Sequence, residues 1–172
     1  MKNILLIFIG LFLFGGCASI EKEQASSQVF EIPKNYSFET ENDYKKYEVD
    51  ILKCIEYLEN APVNDLSDNR QKINTFFLEW LSGVPYVHVK IDNTVLEICR
   101  ENPNFLMIFM GGWTKYTLLH LEDQNEVNGF LAGIEAVLDV YRKGNDVKTD
   151  EKILALIKIQ DEGRLKDLIQ QR

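Results

Sequence analysis

The sequence predicts a mainly α protein: a single helical domain of five to six helices with one short extended segment, carried behind an apolar N-terminal run. Three observations lead there. Apolar residues recur at three- and four-residue spacing from Tyr44 almost to the C-terminus. Helix start signals (Thr, Asp or Asn ahead of an acid or Gln) and stop signals (Gly or Pro) punctuate those stretches. Period-two alternation appears in one place, between Val84 and Ile91.

Taken in order, Thr40-x-x-Asp43 is a capping box, in which hydroxyl and carboxylate satisfy free amides. Tyr44, Tyr47, Ile51, Cys54, Ile55 and Leu58 then follow helical spacing as far as Asn60-Ala61-Pro62. A second helix starts at Asp68, with Gln71 three residues on, and places Ile73, Phe76, Phe77, Trp80 and Leu81 on one face before Gly83. Val87, Val89 and Ile91 then alternate with Tyr86, His88 and Lys90, the pattern of a strand or extended crossing. Asp92 caps a short helix from Asn93 to about Arg100. Asn102-Pro103 opens the next, because proline at the first helical position gives up no bond.

That fourth helix carries Phe105 to Met110 without a polar break, which fits a helix at the centre of a bundle, since Lys115 and His120 interrupt it too soon for a membrane span. Asp123-x-x-Glu126 reads as a second capping box, opening a fifth helix with Val127, Phe130, Leu131, Ile134, Val137, Leu138 and Tyr141 on its apolar face and Gly144 at its end. The last amphipathic segment runs from Thr149 through Ile153, Leu156 and Ile157, bends near Gly163, and continues with Leu165, Leu168 and Ile169. No repeat period emerges.

The N-terminus tells location. Lys2 precedes an apolar stretch from Ile4 to Phe14, broken only by Gly10 and followed at once by Ser19, Glu21 and Lys22. A bilayer span needs roughly 20 apolar residues, so this is the pattern of a cleaved signal peptide. Leu13-Phe14-Gly15-Gly16-Cys17 resembles the lipobox of bacterial lipoproteins; it matches at Gly16 and Cys17 and departs at Phe14, where that family usually has leucine. The resemblance covers about the first nineteen residues. It implies transfer of diacylglycerol to Cys17, removal of residues 1–16 and acylation of the new amine. It divides the chain into a signal peptide (1–16), a lipidated tether (17–40) and a helical domain (41–172). Ala18, in place of the aspartate that retains lipoproteins in the inner membrane of enteric bacteria, implies sorting to the outer membrane; which of its faces the domain occupies stays open. Beyond the tether, the chain resembles the helical domains of small Gram-negative lipoproteins of unassigned role.

The net charge is −8, and about −9 once Lys2 is removed, which disfavours nucleic acid and anionic lipid as partners. Cys54 and Cys99 each sit on an apolar helical face and read either as two core thiols or as one disulfide formed in an oxidising compartment. His88 and His120 lie in different elements with no metal-ligand spacing, so neither a metal nor a cofactor is expected. No nucleophile elbow, Ser-x-x-Lys pair or phosphate-cradling loop is present, so no catalytic residue is assigned.

Gly129-x-x-x-Gly133 with Ala132 and Ala136, and Gly111-Gly112, form small-residue stripes on neighbouring helices. They predict close packing. The alternative is a kink at Gly111-Gly112-Trp113 lining a ligand pocket walled by Trp113 and Tyr116. Tyr86, beside His88 and Lys90, is a third candidate contact residue. The expected function is a non-catalytic, outer-membrane-anchored lipoprotein whose body binds an envelope protein or a small apolar ligand. A periplasmic immunity or inhibitor protein and an uncharacterised hydrolase are the alternatives.

Overall fold

The computed structural model describes residues 30–123 and 125–171; the signal segment, the lipobox and Cys17 lie outside them. Eight helices are present among the described residues: α1 (Glu41–Lys46), α2 (Glu48–Asn60), α3 (Asp68–Gly83), α4 (Asn93–Ile98), α5 (Phe105–Leu119), α6 (Glu126–Lys143), α7 (Glu151–Asp161) and α8 (Leu165–Gln170). The mainly α fold is as expected, and the extra helices come from two breaks.

The first break is at Tyr47. The Thr40–Asp43 capping box forms as the spacing predicts, but Tyr47 leaves helical geometry (φ −100°, ψ 4°) and divides α1 from α2. The indole N–H of Trp80 donates to the Tyr44 carbonyl at 3.0 Å, the oxygen that a continuous helix would give to the amide four residues on. The second break is the anticipated bend at Gly163, whose φ of +71° ends α7 and lets the chain turn into α8.

Helix α5 lies at the centre. Phe105 and every residue from Met107 to Thr114 are buried, which accounts for its apolarity on all sides. Helix α6 runs back along it, and α2 covers the Ile55 side of Gly111. No helix among the described residues is long and apolar enough to cross a membrane. The segment 84–91 is extended, but no strand forms among the described residues. It is anchored by Val84 and Val87 in the core, by Tyr86 on Glu48 (2.7 Å) and by Lys90 on Glu126 (2.5 Å).

Several caps differ in detail from expectation. Asp92 and Asp150 cap α4 and α7 through paired backbone amides. Helix α6, however, is capped by Asn125, because Asp123 is taken up by the Tyr116 hydroxyl, the Asn125 amide and the Asn128 side chain. Helix α5 starts at Phe105, two residues after Pro103. Asn102 and Asn104 instead tie loops together: Asn102 pairs through both amide atoms with the Lys148 backbone (3.0 and 2.7 Å), and Asn104 donates to the Val63 carbonyl (2.9 Å). With Asn64 on Asp146 O (2.7 Å) and Val63 N on Asn145 O (3.0 Å), these bonds join the segments around 61–67, 102–104 and 144–150 into one laced pole.

Residues 30–40, read from composition as the outer part of the tether, lie against the body. Phe30, Ile32, Tyr36 and Phe38 pack on the core. Tyr36 meets Phe76 edge-on at 4.7 Å and donates to Glu79 at 2.5 Å, and Phe38 stacks on Tyr44 at 5.4 Å. This strap turns at Asn35, held at φ +57°. Alternate aromatics on an extended segment present the same face to the protein, and Tyr36 and Phe38, each half-buried, stabilise the strap by less than the roughly 1.5–3 kcal/mol that full burial of one such side chain gives.

Candidate functional site

Trp113 is buried in the α5–α6 seam, where its ring meets Phe109 at 5.9 Å and Phe130 at 6.0 Å. A Cβ on Gly129 would lie 2.3 Å from the indole nitrogen, so Gly129 is the residue that admits the ring. On the other side of the seam, a Cβ on Gly112 would meet Ala132 O and Ala136 Cβ, each at 2.6 Å, and one on Gly133 would meet the Phe109 ring at 2.7 Å. The small-residue stripes are thus a close helix–helix contact. Gly111 and Gly112 lie within the unbroken span of α5.

Tyr116 points to the α5–α6 turn. Its hydroxyl donates to Asp123, and its ring stacks on His120 at 4.3 Å. The Tyr116 hydroxyl, joined by the Asn125 amide and Asn128, holds the Asp123 carboxyl down at about 2, and the same carboxylate raises the Tyr116 phenol. His120 forms a bond of 2.9 Å between Nδ1 and the Tyr116 carbonyl at the end of α5. This cluster closes a turn.

Tyr86 lies in a third setting, packed edge-on to Trp80 at 6.5 Å, with Lys45 5.9 Å above its ring. Burial and the bond to Glu48 push its phenol well above the ordinary value. Trp113, Tyr116 and Tyr86 therefore have separate neighbours and separate structural tasks, and His88 is exposed on the extended segment.

Two surface clefts are lined by other residues. One, of about 490 Å³, lies between the strap (Ile32, Pro33, Tyr36) and α3 (Asp68, Gln71, Lys72, Thr75). The other, of about 310 Å³, lies between Glu59 at the end of α2 and Ala136, Asp139, Val140 and Lys143 of α6. At its edge Lys143 donates to the Glu59 carbonyl (3.0 Å), and the Glu59 carboxylate pairs with Lys115 (3.1 Å). Cys54 and Cys99 are both free and buried, which answers the disulfide alternative in favour of core thiols. Burial pushes Cys54 up to about 12 and Cys99 to about 11, too high for a nucleophile at neutral pH.

Spacing did not reveal the loop between α2 and α3. Arg70, on the first turn of α3, is only 2% exposed; its Nη1 donates to the Pro62 carbonyl at 3.1 Å, while Nε and Nη2 have no protein partner. Burial lowers its pKa. Above it stands Leu66, 81% exposed, more than any other large apolar side chain among the described residues. A leucine directly after Asp65 in a polar loop was the available signal, but periodicity has nothing to say about a residue outside a helix. Comparison with family models, with curated proteins and with solved structures finds no match to this chain.

Proposed function

We propose that the chain is an outer-membrane lipoprotein, held through a lipidated Cys17, whose helical body acts without catalysis by binding another protein of the cell envelope. The anchoring half rests on the resemblance of Leu13 to Cys17 to a lipobox and on the short apolar run before it. Two acyl chains hold a protein stably on a bilayer, so the body needs no membrane helix of its own.

The observation that carries the partner half is the pole at the α5–α6 turn. Leu119 and Leu121 are 61% and 52% exposed there, and Ile91, 44% exposed, is brought to the start of α6 by the Lys90–Glu126 ion pair. Apolar side chains gathered at one end of a body suit a protein contact. The packed seam around Trp113 favours that reading over carriage of a small apolar ligand, which needs an enclosed apolar space.

The test pairs fractionation with site-specific crosslinking in cells. Wild type should float with outer membranes and carry an acylated Cys17 by mass. Cys17→Ser should remain unprocessed, and a photo-crosslinker at Leu119 should give one discrete protein adduct that is absent when placed at Glu56 on the exposed side of α2. Equal processing of Cys17→Ser would sink the anchor, and equal crosslinking from both positions would sink the partner surface.

A further inference from the structure

The path of the strap and the loop before α3 together define which way the body faces. Tyr36 is fixed midway along α3 by Phe76 and Glu79. Ile32 and Pro33 share a cleft with Asp68, Gln71, Lys72 and Thr75. The strap thus starts beside the first turn of α3, next to the laced pole that contains residues 61–67. Residues 18–29 separate Phe30 from Cys17. Twelve residues can reach no farther than about 40 Å. A body of this size has a radius of gyration of about 14–15 Å, hence a diameter of nearly 40 Å. Half the circumference of such a body is about 60 Å, so the link is too short to run round it to a bilayer on the far side, and the strap pole faces the anchor.

Leu66 is displayed at that pole on a loop pinned from both sides. The Asp65 carboxylate accepts from the Ser67 amide (2.9 Å) and hydroxyl (2.8 Å), and Gln71 Nε2 donates to the carbonyl of Leu66 itself (3.1 Å). Upstream, Arg70 holds Pro62, Asn104 holds Val63, and Asn64 reaches Asp146. A loose loop would fold its leucine back onto apolar surface; one bonded at this many points keeps it outward. Ile32 and Pro33 are half-buried and share a cleft with Gln71, the residue that holds the Leu66 carbonyl, so they extend the apolar area beside that leucine. That end carries five carboxylates, Glu31, Asp65, Asp68, Asp146 and Asp150, against Lys34, Lys72, Lys148 and the buried Arg70, so the negative charge of the whole chain is not concentrated there.

We propose that this pole is a second membrane contact, in which Leu66, with Ile32 and Pro33, seats in the headgroup–acyl boundary of the bilayer that holds Cys17. The proposal rests on the anchored reading above and adds to it an orientation: strap pole on the membrane, α5–α6 turn away from it.

The test uses the full chain, lipidated in cells and reconstituted into phosphatidylcholine vesicles with and without brominated acyl chains. The chain's two tryptophans, Trp80 and Trp113, are buried and supply a constant background. Leu66→Trp adds a reporter at the strap pole. Leu119→Trp adds one at the other end of α5, about 21 Å from Phe105 by helical rise. The added emission of Leu66→Trp should be blue-shifted and quenched by the brominated chains, and that of Leu119→Trp should be neither. Absent quenching in Leu66→Trp, or equal quenching in both variants, would overturn the contact. The mass of the N-terminal peptide is read on the same sample: an unmodified Cys17 overturns the anchor and the contact together, whereas acylated Cys17 with unquenched Leu66→Trp overturns the contact alone.

Discussion

Gly112→Ala and Gly111→Ala make the same chemical change at adjacent positions of α5 and should differ in outcome because they face different neighbours. Both gain helix propensity of about 1 kcal/mol over glycine. At Gly112 the new methyl would sit 2.6 Å from Ala132 O, 2.6 Å from Ala136 Cβ and 3.1 Å from Gly133 Cα. None of these is the end of a flexible side chain. Restoring ordinary contact near 3.4 Å requires α5 and α6 to part by some 0.8 Å. A gap of 0.5–1 Å forfeits a quarter to a half of each dispersion well along the seam, so the overpacking cost lies near 3 kcal/mol, the upper end of its usual range. Gly112→Ala should therefore lose about 2 kcal/mol net, or about 6–10 °C in Tm for a body of this size. At Gly111 the nearest atom is Ile55 Cγ2 at 3.2 Å, a methyl that yields by a few tenths of an ångström, and Gly111→Ala should be as stable as wild type or up to about 1 kcal/mol more stable. Urea and thermal unfolding followed by far-UV circular dichroism measure both. A Gly112→Ala protein as stable as Gly111→Ala would refute the close-contact account of the seam.

Two further expectations follow from buried polar and thiol groups. Asn102→Ala removes both bonds to the Lys148 backbone from a fully buried position and should cost about 1–3 kcal/mol; hydrogen exchange should show the 144–150 segment losing protection first, and unchanged protection there would disprove the clasp. Cys54 and Cys99 should resist a thiol reagent in the native state and react once unfolded. Because folding raises both thiols above their ordinary value of 9.0, to about 12 and about 11, the stability they contribute is complete below pH 9 and is lost as pH climbs through 11 and 12. Replacing both by alanine should flatten that alkaline decline; an unchanged decline would place its cause elsewhere.

Local signals in the sequence carried most of the fold and little of the site. Apolar spacing placed α2, α3 and α6, and Thr40, Asp92 and Gly144 cap or end helices where their chemistry says they should. Two of the misses involve a side chain from elsewhere meeting a local group. Trp80 reaches the Tyr44 carbonyl from 36 positions away, beside the Tyr47 amide that closes α1, where the first helix divides. Tyr116 claims Asp123, so the cap passes to Asn125. The strap was hidden by its polar composition, although Tyr36 and Phe38, spaced to share one face, were visible in it. For the site, aromatic character was a poor guide: Trp113, Tyr116 and Tyr86 are each occupied with packing or a hydrogen bond, whereas Leu66, which no periodicity singles out, is the side chain left in solvent.

Arg70 links that loop to the body. A guanidinium taken out of water costs several kcal/mol unless paired, and here a single bond, to the Pro62 carbonyl, comes from the protein. A methionine or leucine at this position would pack against α2 without that cost. What an apolar side chain lacks is a donor for the loop, and the bond from Arg70 meets the loop four residues before Leu66, opposite the bond that Gln71 makes to Leu66 itself. The two donors are consecutive on α3 and grip both arms of one loop. Stability is given up beside the most exposed leucine among the described residues, at the end proposed to face the membrane. That coincidence is what a loop held rigid for contact with a surface requires, and what a simple connection between two helices does not.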